Sequence, residues 1–460
     1  MTSRASGPPA PPPGGAGPSH STLVAKDTER LRALLQREFA DAVEIERCEL
    51  DRIRHDPDPD ENGTPELLAS YWLSLRERVS GRRVVQLYGA RIGPSVEALH
   101  RKLRDASPTA AGLGPPLVHL GAVNMLLFAF PNDPELPHLA RCLGREALRD
   151  CLRNAPHLET TGAEEFSWTP LRYQPGLGCT LRFTVRTSRA GPPCELDLIA
   201  KTHKGNRLAK TFATMQRLWL SPAPCSETWR PARALFYDRD RRLLWQEALP
   251  GPGFWDLYPE LDVAQAFRRM ARAAADLHRY EFAPTGRRLE HLRDEGADVL
   301  ARAYPALGRR HARLLRDLER TRASLPRAPV VSLHGDFHPG QFRIGEGRVG
   351  LMDFDRAHQG DPASDLARFA SHVFLNAVRR EIEPSTFRTP LEAFYDAYAR
   401  NAAAWNGMRP VCWHVATQLV GRRIHKLLDH LSDRPYEKID AILALAEEHL
   451  EQVESSPSGG

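Results

Sequence analysis

The sequence predicts an α+β protein with two lobes, a small antiparallel β lobe followed by a larger helical one, behind an N-terminal α/β extension. Three observations carry that prediction. Between residues 166 and 204 the β-rich runs TPLRYQP, TLRFTVRT and ELDLIAKTHK are separated by the turn-rich GLGC and SRAGPPC, the signature of an antiparallel meander. Beyond residue 260 helical periodicity takes over, and VAQAFRRMARAAADLHRY places Phe267, Met270, Ala271, Ala274 and Leu277 on one face. At 460 residues the chain also exceeds what one core organises, which leaves room for a further unit ahead of the lobes.

Taken in order, residues 1–25 read as a disordered Pro/Gly tail with no apolar stretch of a secretory signal. Residues 26–165 form the extension. Its segment 26–56 (KDTERLRALLQREF onward) reads as helical until DPDPDENGTP breaks the pattern. RRVVQLYGARI at 82–92 reads as a strand, GPSVEALHRKLRD as a helix, LVHLGAVNMLLFAF at 117–130 as strand-like, and a further helix follows PNDPE. Residues 166–250 make the β lobe, with a helix LAKTFATMQRLWL and a last strand RRLLWQEAL closed by PGPG. Residues 251–455 make the helical lobe, interrupted by two short apolar strands, APVVSLHGDF and GRVGLMDFD, joined by a turn. Polar motifs at those strand ends place a cleft between the lobes.

Composition excludes several function classes. No run of about 18 apolar residues exists to span a bilayer. The 63 basic and 58 acidic residues are interspersed, so no nucleic-acid footprint is expected. The basic run GRRHARLLRDLER at 308–320 keeps apolar residues at helical spacing and reads as a solvated helix face. Seven scattered cysteines, never spaced as CxxC, argue against a disulfide framework and for a reducing, cytoplasmic setting.

The chemistry concentrates in HGDFHPGQ (334–341), LMDFD and GDPASDLARF. His334, Asp336 and Gln341 keep the H-x-D-x-x-x-x-N spacing of a kinase catalytic loop, with Gln in the final place, and Asp353 stands where a kinase has its metal-binding Asp-Phe-Gly. These words resemble the aminoglycoside phosphotransferase and choline kinase superfamily, over about residues 166–450. The resemblance implies a protein-kinase-like fold and transfer of the γ-phosphate of ATP, with Mg2+, to a hydroxyl of a small molecule. It implies Asp336 as the carboxylate near the attacking hydroxyl and His334 as the residue that orients its loop. Asp353, Gln341 and Asp355 then hold magnesium. Phosphoryl transfer needs these types because its transition state demands positioning and hard oxygen ligands more than covalent help.

Lys201, late in the strand LIAKTHK, resembles the lysine that reaches nucleotide phosphates, and Gly176 and Gly178 in PGLGCT allow backbone N–H groups to approach phosphate oxygens. Gln246 and Glu247 lie at a lobe junction resembling the adenine-binding hinge. The helix LAKTFATMQRLWL contains no acid to pair with the lysine, which leaves Gln216 or Glu227 as partners. Asp361 and Asp365 read as a brace for the catalytic loop or as N-terminal helix acids. His278 reads as a core histidine, and residues 413–431, with His414, Gln418, Arg422 and His425, read as a packing helix first.

Two other readings compete. The trio His334, Asp336 and His338 could ligate a metal for hydrolysis. A kinase fold could also hold nucleotide or ligand without turnover. A mildly basic chain favours neutral or acidic acceptors such as sugars over polycationic aminoglycosides. A closer resemblance points the same way: maltokinases also carry an N-terminal cap and can end this loop in GQ, although they continue DFEGEP where this chain reads DFDRAHQGDP.

Overall fold

The computed structural model describes residues 20–56, 66–104, 112–155, 158, 163–187, 194–221, 228–284, 297–345, 347–403, 405–429 and 434–455. Of the expected tail 1–25, residues 1–19 lie outside this set, and His20–Lys26 forms a helix, α1. Burial explains the difference, because Val24 and Ala25 are fully enclosed in the extension's core and the Tyr71 hydroxyl donates to the Ala25 carbonyl at 2.8 Å.

Asp27 caps α2 (Thr28–Gln36) by accepting from the Arg30 N–H. The helix expected to continue to residue 56 stops there, and Val43–His55 is the strand β1. Its buried residues Val43, Ile45, Cys48 and Ile53 follow the period of two only until register shifts at Ile45/Arg47 and Leu50/Arg52 break it. The Gln36 side chain marks the switch, donating to the Val43 carbonyl and accepting from the Ile45 N–H. There follow β2 (Leu67–Glu77), β3 (Arg83–Ile92), α3 (Val96–Arg104), β4 (Leu117–Leu120), β5 (Met125–Ala129), α4 (Leu139–Cys142) and α5 (Arg145–Asn154). The stretch 117–130 is therefore a hairpin rather than one strand, turned by Gly121–Val123 and a left-handed Asn124. The five strands pair antiparallel in the order β1-β2-β3-β5-β4.

The next sheet, order β10-β11-β8-β7-β6, is antiparallel as well. It comprises β6 (Ala163–Gln174), β7 (Gly178–Thr187), β8 (Cys194–His203), β10 (Ala234–Asp238) and β11 (Leu243–Glu247). Helix α6 (Arg207–Leu220) and strand β9 (Trp229–Pro231) lie between β8 and β10. Alternation along β3 and β5 splits the extension's apolar residues. Tyr88, Ala90, Leu127 and Ala129 fill its own core, whereas Leu87 and Phe128 join a core shared with Tyr173, Leu181, Phe183 and Trp245 of the second sheet. At that junction a Cβ on Gly89 would lie 2.3 Å from the Phe128 ring and 2.6 Å from the Tyr173 hydroxyl, so only glycine fits.

The helical lobe contains α7 (Phe254–Leu257), α8 (Val263–Leu277), α9 (Ala297–Ala303), α10 (Pro305–Arg322), β12 (Val331–Leu333), β13 (Phe342–Ile344), β14 (Val349–Leu351), β15 (His358–Gly360) and α11 (Pro362–Arg379). It closes with α12 (Arg388–Asn401), α13 (Met408–Gln418), α14 (Ile424–Asp429) and α15 (Pro435–Ser455). The two expected short strands do not pair with each other. β12 pairs with β15, while β14 pairs with β13 and runs parallel to β9, because the Pro339–Gly340 turn sends the chain away before it can return along β12. The basic run 308–320 lies on α10, which buries Leu307, His311, Leu314 and Leu318 and turns Arg310, Arg313 and Arg320 to acids of α15. Residues 413–431 are two helices separated by a π-helical segment, Leu419–Arg423, and His430 and Leu431 lie outside the described residues. Cys48, Cys142, Cys151, Cys179 and Cys412 are free and buried, and no described helix is long and apolar enough to cross a membrane. The fold is thus α+β, two antiparallel five-stranded sheets followed by a mostly helical region.

Candidate active site

The loop His334–Gln341 leaves β12 through Gly335, at φ +75°, where a Cβ would lie 2.1 Å from the Arg356 carbonyl. His334 is fully buried. Its Nε2 is 2.9 Å from the Met352 carbonyl, which only a protonated nitrogen can use, so Nδ1 accepts from the Asp336 N–H at 3.2 Å. Asp365 holds the same turn from below. Its carboxylate accepts from the backbone N–H of His334 (2.7 Å) and Gly335 (2.9 Å) and lies 3.3 Å from His278 Nε2. Burial opposes its charge, but the His278 hydrogen bond and the nearby imidazoles hold Asp365 below the usual carboxylate range. His278 also contacts the Tyr398 hydroxyl at 2.8 Å, a satisfied core histidine, and Asp361 is the N-cap of α11.

Asp336 faces the helical lobe. Its Oδ1 lies 3.6 Å from Arg368 Nη1 and 3.9 Å from Arg422 Nη2, and its Oδ2 lies 3.9 Å from His338 Nε2. Burial would raise its pKa, but His338, Arg368 and Arg422 together hold it well below the carboxylate range. Burial pushes His338 itself down to about 3, so the ring is neutral near pH 7 and the arginines keep Asp336 ionised there. The His338 ring stacks on His372 with centroids 3.7 Å apart, and its Nδ1 accepts from the Gly340 N–H. His334, Asp336 and His338 therefore do not converge on a metal. Both nitrogens of His334 are spent on backbone, and among the described residues no group of three His, Cys, Asp or Glu side chains could hold one.

Lys201 leaves β8 and meets Asp353, 152 residues away, at 2.9 Å from Nζ to Oδ1; Asp355 Oδ1 is 3.9 Å off. Desolvation works against the ammonium, but Asp353 and Asp355 raise its pKa above the ordinary lysine value. Gln216 is not its partner, since its amide donates to the Ala234 carbonyl, and Glu227 lies outside the described residues. With no acid on α6, the lysine's charge is met by the DFD acids instead. Asp353 sits in the left-handed region at φ 71°, turning the chain sharply after β14. Burial raises its pKa, Lys201 lowers it further, and the net shift is downward; Asp355 moves up, through burial against Lys201 and the neighbouring charge of Asp353. Asp355 Oδ1 is buried without a hydrogen-bond partner, and its Oδ2 lies 3.6 Å from Arg207 Nη2. The buried Gln341 turns its amide nitrogen to Asp353 Oδ2 (3.4 Å) and to His338 Nε2 (3.2 Å), so its oxygen points elsewhere in this arrangement.

The glycine turn departs from expectation. Gly176, at φ +70°, donates its N–H to Asp133 of the extension at 2.9 Å, and Tyr173 donates to the same oxygen at 2.8 Å. That N–H is spent before any phosphate arrives. Gly178 is required by strand pairing, since a Cβ there would lie 2.6 Å from the Thr202 carbonyl. Arg54 donates to the Pro175 carbonyl and Lys204 pairs with Glu135, so the extension grips the turn from both sides. Gln246 and Glu247 lie on β11 opposite Ile199 and Leu198; the Glu247 N–H goes to the Arg233 carbonyl, and the buried Gln246 Oε1 has no hydrogen-bond partner.

Lys201, Asp353, Asp355 and Gln341 thus form one contiguous cluster, and Asp336 joins it through His338, with His334 behind the loop. The residues that sequence reasoning missed are the cations Arg368, Arg423 and Lys426 and the stacking partner His372, while Arg422 belongs to a helix that reads as packing first and substrate pocket second. Arg368 stands one helical turn after Asp365, a spacing that could have flagged it. The DFD acids and the amide of Gln341 are hard oxygen donors, and the orphaned buried oxygen of Asp355 fits a cation site completed by phosphate oxygens.

Over residues 181–411 the chain matches the APH family, described as a phosphotransferase enzyme family. No curated protein sequence matches it significantly. Among solved structures, it is similar to a choline/ethanolamine kinase family protein from Mesorhizobium loti, with 18% identity, 68% of this chain and 99% of that one covered, and a TM-score of 0.43. For choline kinase LicA from Streptococcus pneumoniae the identity is 14%, with 67% and 99% covered and a TM-score of 0.40. For amicoumacin kinase hAmiN, solved with AMP-PNP, Ca2+ and Ami, the identity is 13%, with 67% and 96% covered and a TM-score of 0.42.

Proposed function

The chain belongs to the phosphotransferase enzyme family, and from that premise we propose that it transfers the γ-phosphoryl group of ATP to a hydroxyl of a small molecule, with magnesium. The observation that carries this reading is the Lys201–Asp353 contact at 2.9 Å, which joins the β lobe to the acid beside the Asp336 loop. Asp336 accepts the hydrogen bond of the acceptor hydroxyl and orients its oxygen toward the γ-phosphorus. The new O–P bond forms as the bond to the bridging oxygen breaks, ADP leaves, and the proton passes to Asp336. Lys201 offsets phosphate charge. His334 and Asp365 hold the loop so that Asp336 is already positioned, which is where a loose transition state gains most. Asp353 and Asp355, with Gln341 after an amide rotation, would hold a magnesium ion, which would supply neutralisation of phosphate charge.

A second reading, a kinase fold that binds nucleotide without turnover, has one observation in its favour: the Gly176 N–H already belongs to Asp133. ADP release measured against sugars, aminoglycosides and amino alcohols, with Asp336→Asn as control, separates the two. Transfer to at least one acceptor is expected, and the variant should lose roughly 100-fold or more in kcat. Undiminished turnover in Asp336→Asn overturns the mechanism. Nucleotide binding without ADP release from any acceptor selects the binding module.

A further inference from the structure

The wall that faces Asp336 is more cationic than transfer to an uncharged alcohol requires. Arg368 and Arg379 come from α11, Arg422 and Arg423 from the π-helical segment, and Lys426 from α14. Two of them, Arg368 and Arg422, lie within 4 Å of the Asp336 carboxylate. Arg423 is fully buried. Its Nε and Nη2 donate to Ser371 Oγ at 3.2 and 3.0 Å, and its Nη1 has no hydrogen-bond partner among the described residues. Neither Arg423 nor Lys426 has an acid within ion-pair distance in that set; the carboxylate whose field reaches both is Asp336, and the neighbouring arginines oppose it. Burying a cation without its counter-charge is costly, and for Arg423 and Lys426 Asp336 supplies only a distant one. These side chains stand on other elements than Lys201, whose charge is already met by Asp353 and Asp355.

Resting on the phosphotransferase reading above, we infer that the acceptor is itself an anion: its hydroxyl meets Asp336 while a carboxylate or phosphate group on the same molecule binds Lys426 and Arg422, backed by the buried guanidinium groups of Arg368 and Arg423. Sugar phosphates, sugar acids and hydroxy acids fit this chemistry. Polycationic aminoglycosides and quaternary amino alcohols are repelled by it.

The test uses the full chain. ADP release is measured with sugar phosphates and sugar acids beside their neutral parent sugars and beside aminoglycosides, so that the phosphate and carboxylate arms are read separately. The anionic member of a pair should have a kcat/KM higher by about 100-fold or more. Independently of the correct carbon skeleton, inorganic phosphate and malonate are titrated by calorimetry onto the chain saturated with ADP and magnesium. Lys426→Met and Arg423→Met should each weaken that binding by about tenfold or more. Retained ADP affinity shows that a variant is folded, and the half-buried Lys426 keeps the test open should Arg423→Met fail to fold. Neutral or cationic acceptors turned over as well as anionic ones overturn this inference and leave the phosphotransferase reading standing. Anion binding unchanged in Lys426→Met also overturns it. Anion binding that depends on Lys426, with no ADP release from any acceptor, supports the pocket and overturns the reading on which the acceptor rests.

Discussion

Replacing Asp365 with asparagine exchanges one carboxylate oxygen for an NH2 group and leaves the shape of the side chain almost unchanged. The native carboxylate accepts from His334 N and Gly335 N at 2.7 and 2.9 Å, on different oxygens, with His278 Nε2 at 3.3 Å. The amide keeps one acceptor oxygen and turns a donor toward the other backbone N–H. The lost bond to a charged acceptor costs about 1.5–3 kcal/mol, and the stranded buried N–H about 1–3 kcal/mol more. Asp365→Asn should therefore destabilise the protein by roughly 2.5–6 kcal/mol, read as a shift in urea unfolding at pH 7. An acid that only favoured the first turn of α11 would contribute about 0.3–1 kcal/mol. The pH dependence separates the cases further. Because Asp365's pKa is lowered on folding, its contribution is present above the unfolded carboxylate's value and is lost as pH falls through the folded one. The gap between wild type and variant should then be full at pH 7 and close below about pH 4. A loss under about 1 kcal/mol at pH 7 refutes the brace and returns Asp365 to the role of a helix-end charge.

Three other outcomes follow from the cleft. Lys201→Met removes the cation 2.9 Å from Asp353, and the KM for ATP in steady-state ADP release should rise about tenfold or more. Gln341→Asn shortens the amide that faces Asp353 and should change the magnesium concentration needed for half-maximal rate more than the acceptor KM; the reverse order would remove Gln341 from the cation site. His338 and His372 are buried with pKa values pushed down, so the unfolded chain binds protons that the native one refuses. Stability should fall on acidification from pH 7 toward 5, by up to about 1.4 kcal/mol per pH unit for each ring below about pH 6.5, and His372→Phe should flatten that slope in thermal melts.

Chemistry and spacing coincide in one part of the chain. The stretch HGDFHPGQ carries loop, carboxylate and amide within eight residues, and LMDFD follows it closely, so local order alone brings Asp336, Gln341 and Asp353 together. A lone strand lysine is ordinarily a solvated edge residue, and Lys201 stands out only by its place after a glycine-containing turn and before a helix. The partner of that lysine was not legible, since Asp353 reaches it only when the lobes meet. The cations around Asp336 come from a helix and a π turn far along the chain, and an extra residue in a turn leaves no mark on apolar periodicity. Bulges hid β1 in the same way, by breaking the period of two at both of its register shifts. Gly176 shows the opposite failure: the glycine turn is legible, but the carboxylate that claims its N–H comes from another part of the chain.

Leu87, Phe128 and Phe130 of the extension are packed with Tyr173, Phe183 and Trp245 in one core, and Asp133 clasps the glycine turn. Whenever the β lobe tilts against the helical lobe, the extension must travel with it as a rigid outrigger. A donor dye on the exposed side of the extension and an acceptor on α10 would report such a tilt by energy transfer.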